Sequence, residues 1–186
     1  MGKLVYLMNV SLDGYVATPD GGVDWTIVDE ELHTWFKDEL RKSAAELYGR
    51  RLYESMVYWQ TAESDPEATD FMLDFARVWK ARPKIVFSST LESVIEGCRL
   101  VKSDPVEALD ALRDEFVGEL SVGGPTLASA FIRADLVDEY RMVVHPVALG
   151  GGTPFFPALD RPIRMELTET RRFASGAMYL GYRRRR

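Results

Sequence analysis

Four short segments hold the residues of this chain best suited to gripping a phosphorylated ligand. They are Tyr48-Gly49-Arg50-Arg51, Ser88-Ser89-Thr90, Val101-Lys102-Ser103 and Val122-Gly123-Gly124-Pro125-Thr126. Each follows an apolar run, and most precede a helix-like run. Together they offer cations, hydroxyls and glycine amides, the groups that bind phosphate oxygens. Gly123 and Gly124 let backbone N–H groups come close to a pyrophosphate, and the helix that follows adds partial positive charge. Arg50 and Arg51 open a second helix, where cations oppose the helix dipole. An anionic ligand would remove that cost. Ser88, Ser89 and Lys102 complete a pocket for a further phosphate, as on the ribose of NADPH. Each segment alone also reads as a polar loop; their joint placement at strand ends is what points to one nucleotide site.

The elements that must position these groups alternate along the chain. Leu4 to Val10 is apolar on both faces, as a central strand covered on both sides requires. Asp13-Gly14 is a turn, Tyr15 to Ala17 a short extended return, and Thr18 to Gly22 a loop by composition. Asp29 or a neighbour caps a predicted helix running to about Lys42, with Leu32, Trp35, Phe36 and Leu40 inward. Ala45–Tyr48, Lys84–Phe87, Arg99–Val101, Glu119–Val122 and Glu139–Val147 are predicted strands. Arg51 to Tyr58, Val106 to Phe116 behind Asp104-Pro105, and Thr126 to Ile132 are predicted helices. The spacing of Phe71 to Trp79 fits helix or strand. Met165–Phe173 and Ala177–Tyr182 form an antiparallel pair turning at Ser175-Gly176. This order predicts a mainly parallel sheet with helices on both faces and an antiparallel edge. Ligands of such sheets sit at the carboxyl ends of the strands.

Composition narrows the function classes. The chain has 186 residues, 46% of them hydrophobic, with no linker, repeat or low-complexity stretch. One domain over 1–186 is expected. The single cysteine, Cys98, excludes an internal disulfide framework, reads as a packing residue and fits a reducing cytoplasm. His33 and His145 lie far apart in sequence, so no metal site is expected, and both read as surface or satisfied histidines. The Leu4–Val10 run is too short for a signal peptide, and position 6 is Tyr where myristoylation wants Ser or Thr. No stretch approaches the roughly 20 apolar residues of a membrane span. The net charge of −6 conceals a more acidic body: without Arg183 to Arg186, 19 Lys and Arg face 29 Asp and Glu. Neither a nucleic-acid nor a membrane partner is expected of such a body. The arginine tail reads as a solvated terminus, or as an anion-seeking patch.

With these segments in place the chain resembles the dihydrofolate reductase superfamily. Tyr48-Gly49-Arg50-Arg51-Leu52-Tyr53-Glu54-Ser55 is similar to that family's Gly-Arg-x-Thr-x-Glu-Ser box. Ile85-Val86-Phe87-Ser88-Ser89, Val101-Lys102-Ser103 and Val122-Gly123-Gly124 follow in the family's order. Ser11-Leu12-Asp13-Gly14 and His145-Pro146-Val147-Ala148-Leu149-Gly150-Gly151-Gly152 are closer to the reductase domain of bacterial riboflavin biosynthesis. With no deaminase segment ahead of it, the chain looks like a stand-alone member. The resemblance implies a three-layer α/β/α sandwich with a mainly parallel sheet and antiparallel C-terminal strands. It implies NADPH as cofactor, with Arg50, Arg51, Ser88, Ser89 and Lys102 on the adenosine-side phosphate and ribose. Gly123, Gly124 and the amides of Pro125, Thr126 and Leu127 would meet the pyrophosphate. Asn9 and Val10 would meet the nicotinamide carboxamide through their backbone. Gly14 to Gly22 would be the closing loop, with Trp25 at its end.

Two positions depart from the pattern. Leu52 stands where the box has Thr. Dihydrofolate reductases carry a carboxylate three positions before a Trp-Phe-Lys run, and here that position is Leu32, ahead of Trp35-Phe36-Lys37. Glu30 or Glu31 would reach the pocket only after a register change, and both also read as solvated first-turn acids. The expected function is NADPH-dependent hydride transfer to a C=N bond of a pterin- or pyrimidine-like small molecule, as in a 5-amino-6-(5-phosphoribosylamino)uracil reductase. The alternatives are a catalytically silent NADPH-binding protein, or a true dihydrofolate reductase using Glu30 or Glu31. The resemblance, the C-terminal strands and the apolar segment Val143 to Phe156 together predict a symmetric homodimer that buries Phe155 or Phe156 and part of the C-terminal strand pair.

Overall fold

The structure, a computed structural model, describes residues 2–185. The elements are β1 (Leu4–Ser11), β2 (Tyr15–Ala17), α1 (Glu30–Lys42), β3 (Ser43–Gly49), α2 (Arg50–Met56), α3 (Asp70–Ala81), β4 (Lys84–Phe87) and β5 (Cys98–Val101). They continue with α4 (Pro105–Glu115), β6 (Glu119–Gly123), α5 (Pro125–Arg133), β7 (Glu139–His145), β8 (Thr153–Pro154), β9 (Met165–Arg172) and β10 (Met178–Arg184). Eight strands form one sheet in the order β5-β4-β3-β6-β1-β7-β10-β9, and β2 and β8 pair separately. The first six strands of the sheet are parallel, while β10 and β9 run antiparallel. The expected architecture stands.

Strand alternation divides the sheet residues between two helical layers. Leu47 and Ile85 pack with Leu109 and Leu112 of α4 and with Leu127, Phe131 and Ile132 of α5. Their neighbours Tyr48 and Val86 point the other way, onto Leu40 of α1 and Phe75 and Trp79 of α3. Leu32 and Trp35 of α1 extend this second layer over Val143 and Tyr179. The segment that fits helix or strand by spacing is α3: Phe75, Ala76 and Trp79 fall on one helical face and are buried. Asp29 accepts from Leu32 N and caps α1, and Asp104 caps α4, as their positions before an apolar period require.

Phe155 corrects the expected dimer. It is 1% exposed and stacks on Tyr6 at 4.2 Å between ring centroids. Phe156 packs half-buried against Tyr140. Phe155 is therefore core, and a charge there would be buried without a partner. The edge strand β9 is also more polar than an apolar edge: Leu167 to Arg172 are exposed on both faces. The arginine tail is partly strand. Arg183 pairs with Glu166 at 3.1 Å and Arg184 with Asp135, whereas Arg186 lies outside the described residues. Among the described residues no helix is long and apolar enough to cross a membrane.

Candidate functional site

The chain visits the sheet's centre from both sides. It leaves β1 for β3, β4 and β5, returns to place β6 between β3 and β1, and crosses to β7. Such a reversal opens a crevice at the carboxyl ends of the strands. Here β1 stays with β7 along its whole length, to Ser11↔His145. Its pairing with β6 stops at Tyr6↔Val122. Backbone groups alternate sides along a strand. Lys3 O accepts from Leu120 N on the β6 side, and Leu4 O from Asp138 N on the β7 side. By the same alternation the peptide groups of Leu7 and Asn9 face the edge that β6 has left, and those of Val10 face β7. Asn9 thus offers its backbone to the gap. Val10 does not, and its side chain is buried in the core.

A cleft of about 1410 Å³ lies over these strand ends. Arg50, Arg51, Ser88, Ser89, Lys102, Gly124, Pro125, Thr126 and Leu127 all line it, so two loops and two helix starts distant in sequence meet. Arg50 donates to Thr90 Oγ1 at 3.0 Å and to Glu54 at 2.7 Å, and Ser88 Oγ lies 3.3 Å from Thr90 Oγ1. That chain of contacts fixes the start of α2 against the end of β4. Arg51 and Lys102 form no ion pair among the described residues. The cleft therefore holds exposed cations of which, among the described residues, only Arg50 is ion-paired, to Glu54.

The glycine pair has two separate reasons. Gly124 sits at φ +90, a conformation L side chains rarely adopt. A Cβ on Gly123 would run into Leu52 Cδ2. Leu52 thus packs over the pair, and its place in the box serves the cleft floor instead of a phosphate. Gly124 N–H points to Met8 Sδ at 3.2 Å. Pro125 has no N–H, so the helix-start donors left for a ligand are those of Thr126 and Leu127. This corrects the expectation that Pro125 supplies an amide.

Val16, Ala17 and the loop after them to Val23, with Thr153, also line the cleft. Gly14 does not line it; it makes the turn after β1, at φ +93, and its carbonyl accepts from Phe155 N at 2.9 Å. Asp13 latches this corner. Its carboxylate takes Ser11 Oγ at 2.6 Å, Leu149 N at 3.0 Å and Gly150 N at 2.7 Å. The Ser11 hydroxyl and these two amides hold its pKa down at about 2. The Ser-Leu-Asp-Gly motif carried this signal, an acid before a turn.

The expected acids do not enter the cleft. Glu31 accepts from Arg171 at 2.9 Å and from Ala174 N at 2.9 Å, which keep its carboxyl below the usual range. It ties α1 to the β9–β10 hairpin. Glu30 is exposed at the first turn of α1, and Leu32 is fully buried, so no register change has occurred. Trp25 lies half-buried with its ring edge-on to His145, centroids 5.6 Å apart. His145 is 1% exposed and shares a 2.9 Å hydrogen bond with Asn9 Oδ1. His33 lies among Trp59, Phe71 and Phe75. Burial lowers the pKa of both imidazoles. Neither is a surface histidine, and each keeps a buried Nδ1 without a partner among the described residues. Position in sequence gave no sign of this.

Comparison with known proteins agrees with this geometry. Residues 3–179 match the model of the RibD C-terminal domain, and the chain belongs to that family. It is 29% identical over 184 residues to the uncharacterised protein YyaP of Bacillus subtilis (strain 168), covering 97% of this chain and 94% of that one. A Shewanella sp. PV-4 protein named for riboflavin biosynthesis shares the fold at a TM-score of 0.75 and 24% identity, over 99% of both chains. Dihydrofolate reductase from Enterococcus faecalis, complexed with NADP(H), shares it at a TM-score of 0.66 and 21% identity, over 100% of this chain and 98% of that one. The family and fold define a reductase-type protein.

Proposed function

We propose that the protein is an NADPH-dependent reductase that transfers hydride to a C=N bond of a pyrimidine- or pterin-like ring. The observation that carries this reading is the convergence of Arg50, Arg51, Ser88, Ser89 and Lys102 with the start of α5 and Met8 of β1 around one cleft. The donor set fits the dinucleotide. Exposed cations and hydroxyls suit the ribose phosphate, the Thr126 and Leu127 amides suit the pyrophosphate, and the Asn9 peptide group suits a carboxamide. When bound, NADPH would supply the hydride from its nicotinamide ring. The protein's part is to orient that ring in the gap between β1 and β6, and to exclude water with the Val16–Val23 loop.

The tether on Glu31 and the burial of Leu32 speak against folate as the natural substrate. A silent nucleotide-binding protein remains the second reading, favoured by the same missing acid. A cytoplasmic homodimer belongs to this proposal too, with its contact kept on the C-terminal strand pair, at the exposed β9 edge and Leu167, and without Phe155. Fluorescence titration tests the cofactor: NADPH should bind at least tenfold tighter than NADH, since charge-assisted hydrogen bonds contribute about 1.5–3 kcal/mol each. Equal affinities would remove the assigned phosphate pocket. Oxidation of NADPH by a pyrimidine or pterin substrate separates the enzyme from the silent protein.

A further inference from the structure

Among the described residues three acids line the cleft: Asp20, Glu54 and Asp104. Two of them serve their own loops. Asp20 takes the Thr18 hydroxyl. Asp104 caps α4, accepting from Val106 N at 2.8 Å and Glu107 N at 3.2 Å. Glu54 is set differently. Its Oε1 accepts from Arg50 Nε at 2.7 Å, so this carboxylate sits on one of the cations proposed to gather a phosphate. The other two, Arg51 and Lys102, have no such acid among the described residues.

The fold has little use for this pair. Its side chains are 52% and 47% exposed, and ion pairs so exposed add little to stability. The cation also precedes the acid at i,i+4, the weaker order on a helix. Nor does Arg50 depend on Glu54 for its place. Arg50 Nη1 donates to Thr90 Oγ1 at 3.0 Å. Thr90 is fixed in turn from the end of β4. Ser88 Oγ accepts from Thr90 N at 3.2 Å and Leu91 N at 3.1 Å, which fills its lone pairs and turns its own proton to Thr90 Oγ1 at 3.3 Å. Glu54 and Thr90 take two of the five N–H donors of the guanidinium and leave the rest to a ligand. What Glu54 alters is the charge: a carboxylate beside an incoming phosphate repels it and cancels part of the pull of Arg50.

We infer that Glu54 is a specificity-determining residue that holds down the preference for the phosphorylated dinucleotide, by neutralising Arg50 within the group of cations that takes the ribose phosphate. This rests on the reading of the cleft as an NADPH site. Arg51 and Lys102 pull the phosphate in, and Glu54 limits how tightly it is held. A cofactor that gives up its hydride must leave before the next turnover, and a carboxylate beside its phosphate favours that exit.

The test is fluorescence titration of the full chain with NADPH and NADH, in the wild type, Glu54→Gln and Glu54→Ala. Gln keeps an oxygen for Arg50 Nε and removes only the charge. Glu54→Gln should bind NADPH about threefold to tenfold tighter than the wild type and change NADH by less than about twofold. The gain should shrink as salt is raised to roughly 0.5 M, where exposed charges are screened. Glu54→Ala should show the same rise in the NADPH to NADH ratio, since Thr90 still holds Arg50, and it carries the test if the Gln variant does not fold. A ratio that falls in both variants would make Glu54 a positioning residue for Arg50 and overturn the inference. An unchanged ratio, or equal gains for both dinucleotides, would overturn it as well. If the wild type binds neither dinucleotide, the reductase reading is struck. Inorganic phosphate titrated by calorimetry onto the wild type and Glu54→Gln then decides the role of Glu54: tighter binding by the variant upholds it, and equal binding overturns it.

Discussion

The two ends of the parallel strands use the same charged residue types in opposite ways. At the amino ends, Arg141 is buried and bonds Glu39 at 2.9 Å, Glu119 at 2.7 and 2.8 Å, and Glu139 at 2.7 Å. Lys3 adds 2.7 Å to Glu139, and Lys84 donates to three backbone carbonyls. At the carboxyl ends, Arg50, Arg51 and Lys102 stand exposed around a large cleft, where among the described residues only Arg50 is ion-paired, to Glu54. Desolvated charges must find partners inside the fold or unfold it. Solvated charges carry no such demand and remain available to a ligand. Where charge is satisfied it serves the fold, and where it is left open it marks the candidate site.

The largest effect should come from the closed end. Arg141→Leu leaves three carboxylates without their shared partner, and breaking such buried pairs costs about 3–5 kcal/mol. Urea unfolding should show that loss, and a cost below about 1 kcal/mol would mean the network is not what it looks to be. Next in size is Glu46, fully buried beside Ser43 and Ser121, whose pKa burial pushes up to about 7 from 4.5. The folded state holds this proton more tightly than the unfolded one. The resulting stability is complete below pH 4.5 and is lost as pH rises to about 7. Over that window the loss is roughly 3 kcal/mol. Glu46→Gln should therefore unfold at higher urea than the wild type at pH 8, and at nearly the same urea at pH 4. A Glu46→Gln protein less stable at both pH values would show that the ionised carboxylate is needed.

At the open end the pattern should invert. Lys102→Ala and Arg51→Ala should leave stability within about 0.5 kcal/mol, yet weaken NADPH binding tenfold or more and NADH much less. A drop in melting temperature without a change in NADPH affinity would move these residues to the structural side. The smallest effect is local. Asp13→Asn should speed hydrogen exchange at Leu149 and Gly150 while leaving the global unfolding midpoint at pH 7 in place. Its lowered pKa gives the same loosening in the wild type only as pH falls from 3.8 towards about 2.

Much of this was legible in the chain, and the reason is local. The runs of apolar residues, the Asp29 and Asp104 caps and the Pro105 helix start act within a few residues, so they fixed strand and helix order. The phosphate-facing segments were readable because a parallel sheet delivers every strand end to one edge. Tertiary structure alone decided the rest. Phe155 looked like an exposed loop aromatic because its partner Tyr6 lies far away in sequence. Glu31 looked like a candidate acid until the β9–β10 hairpin brought Arg171 to it. His145, Asn9 and Trp25 fall in three separate stretches of the family pattern, and only the pairing of β1 with β7 and the return of the loop before α1 bring them together. Periodicity and caps are near-neighbour physics written into the sequence, whereas pairing across more than a hundred residues is settled by how the layers close.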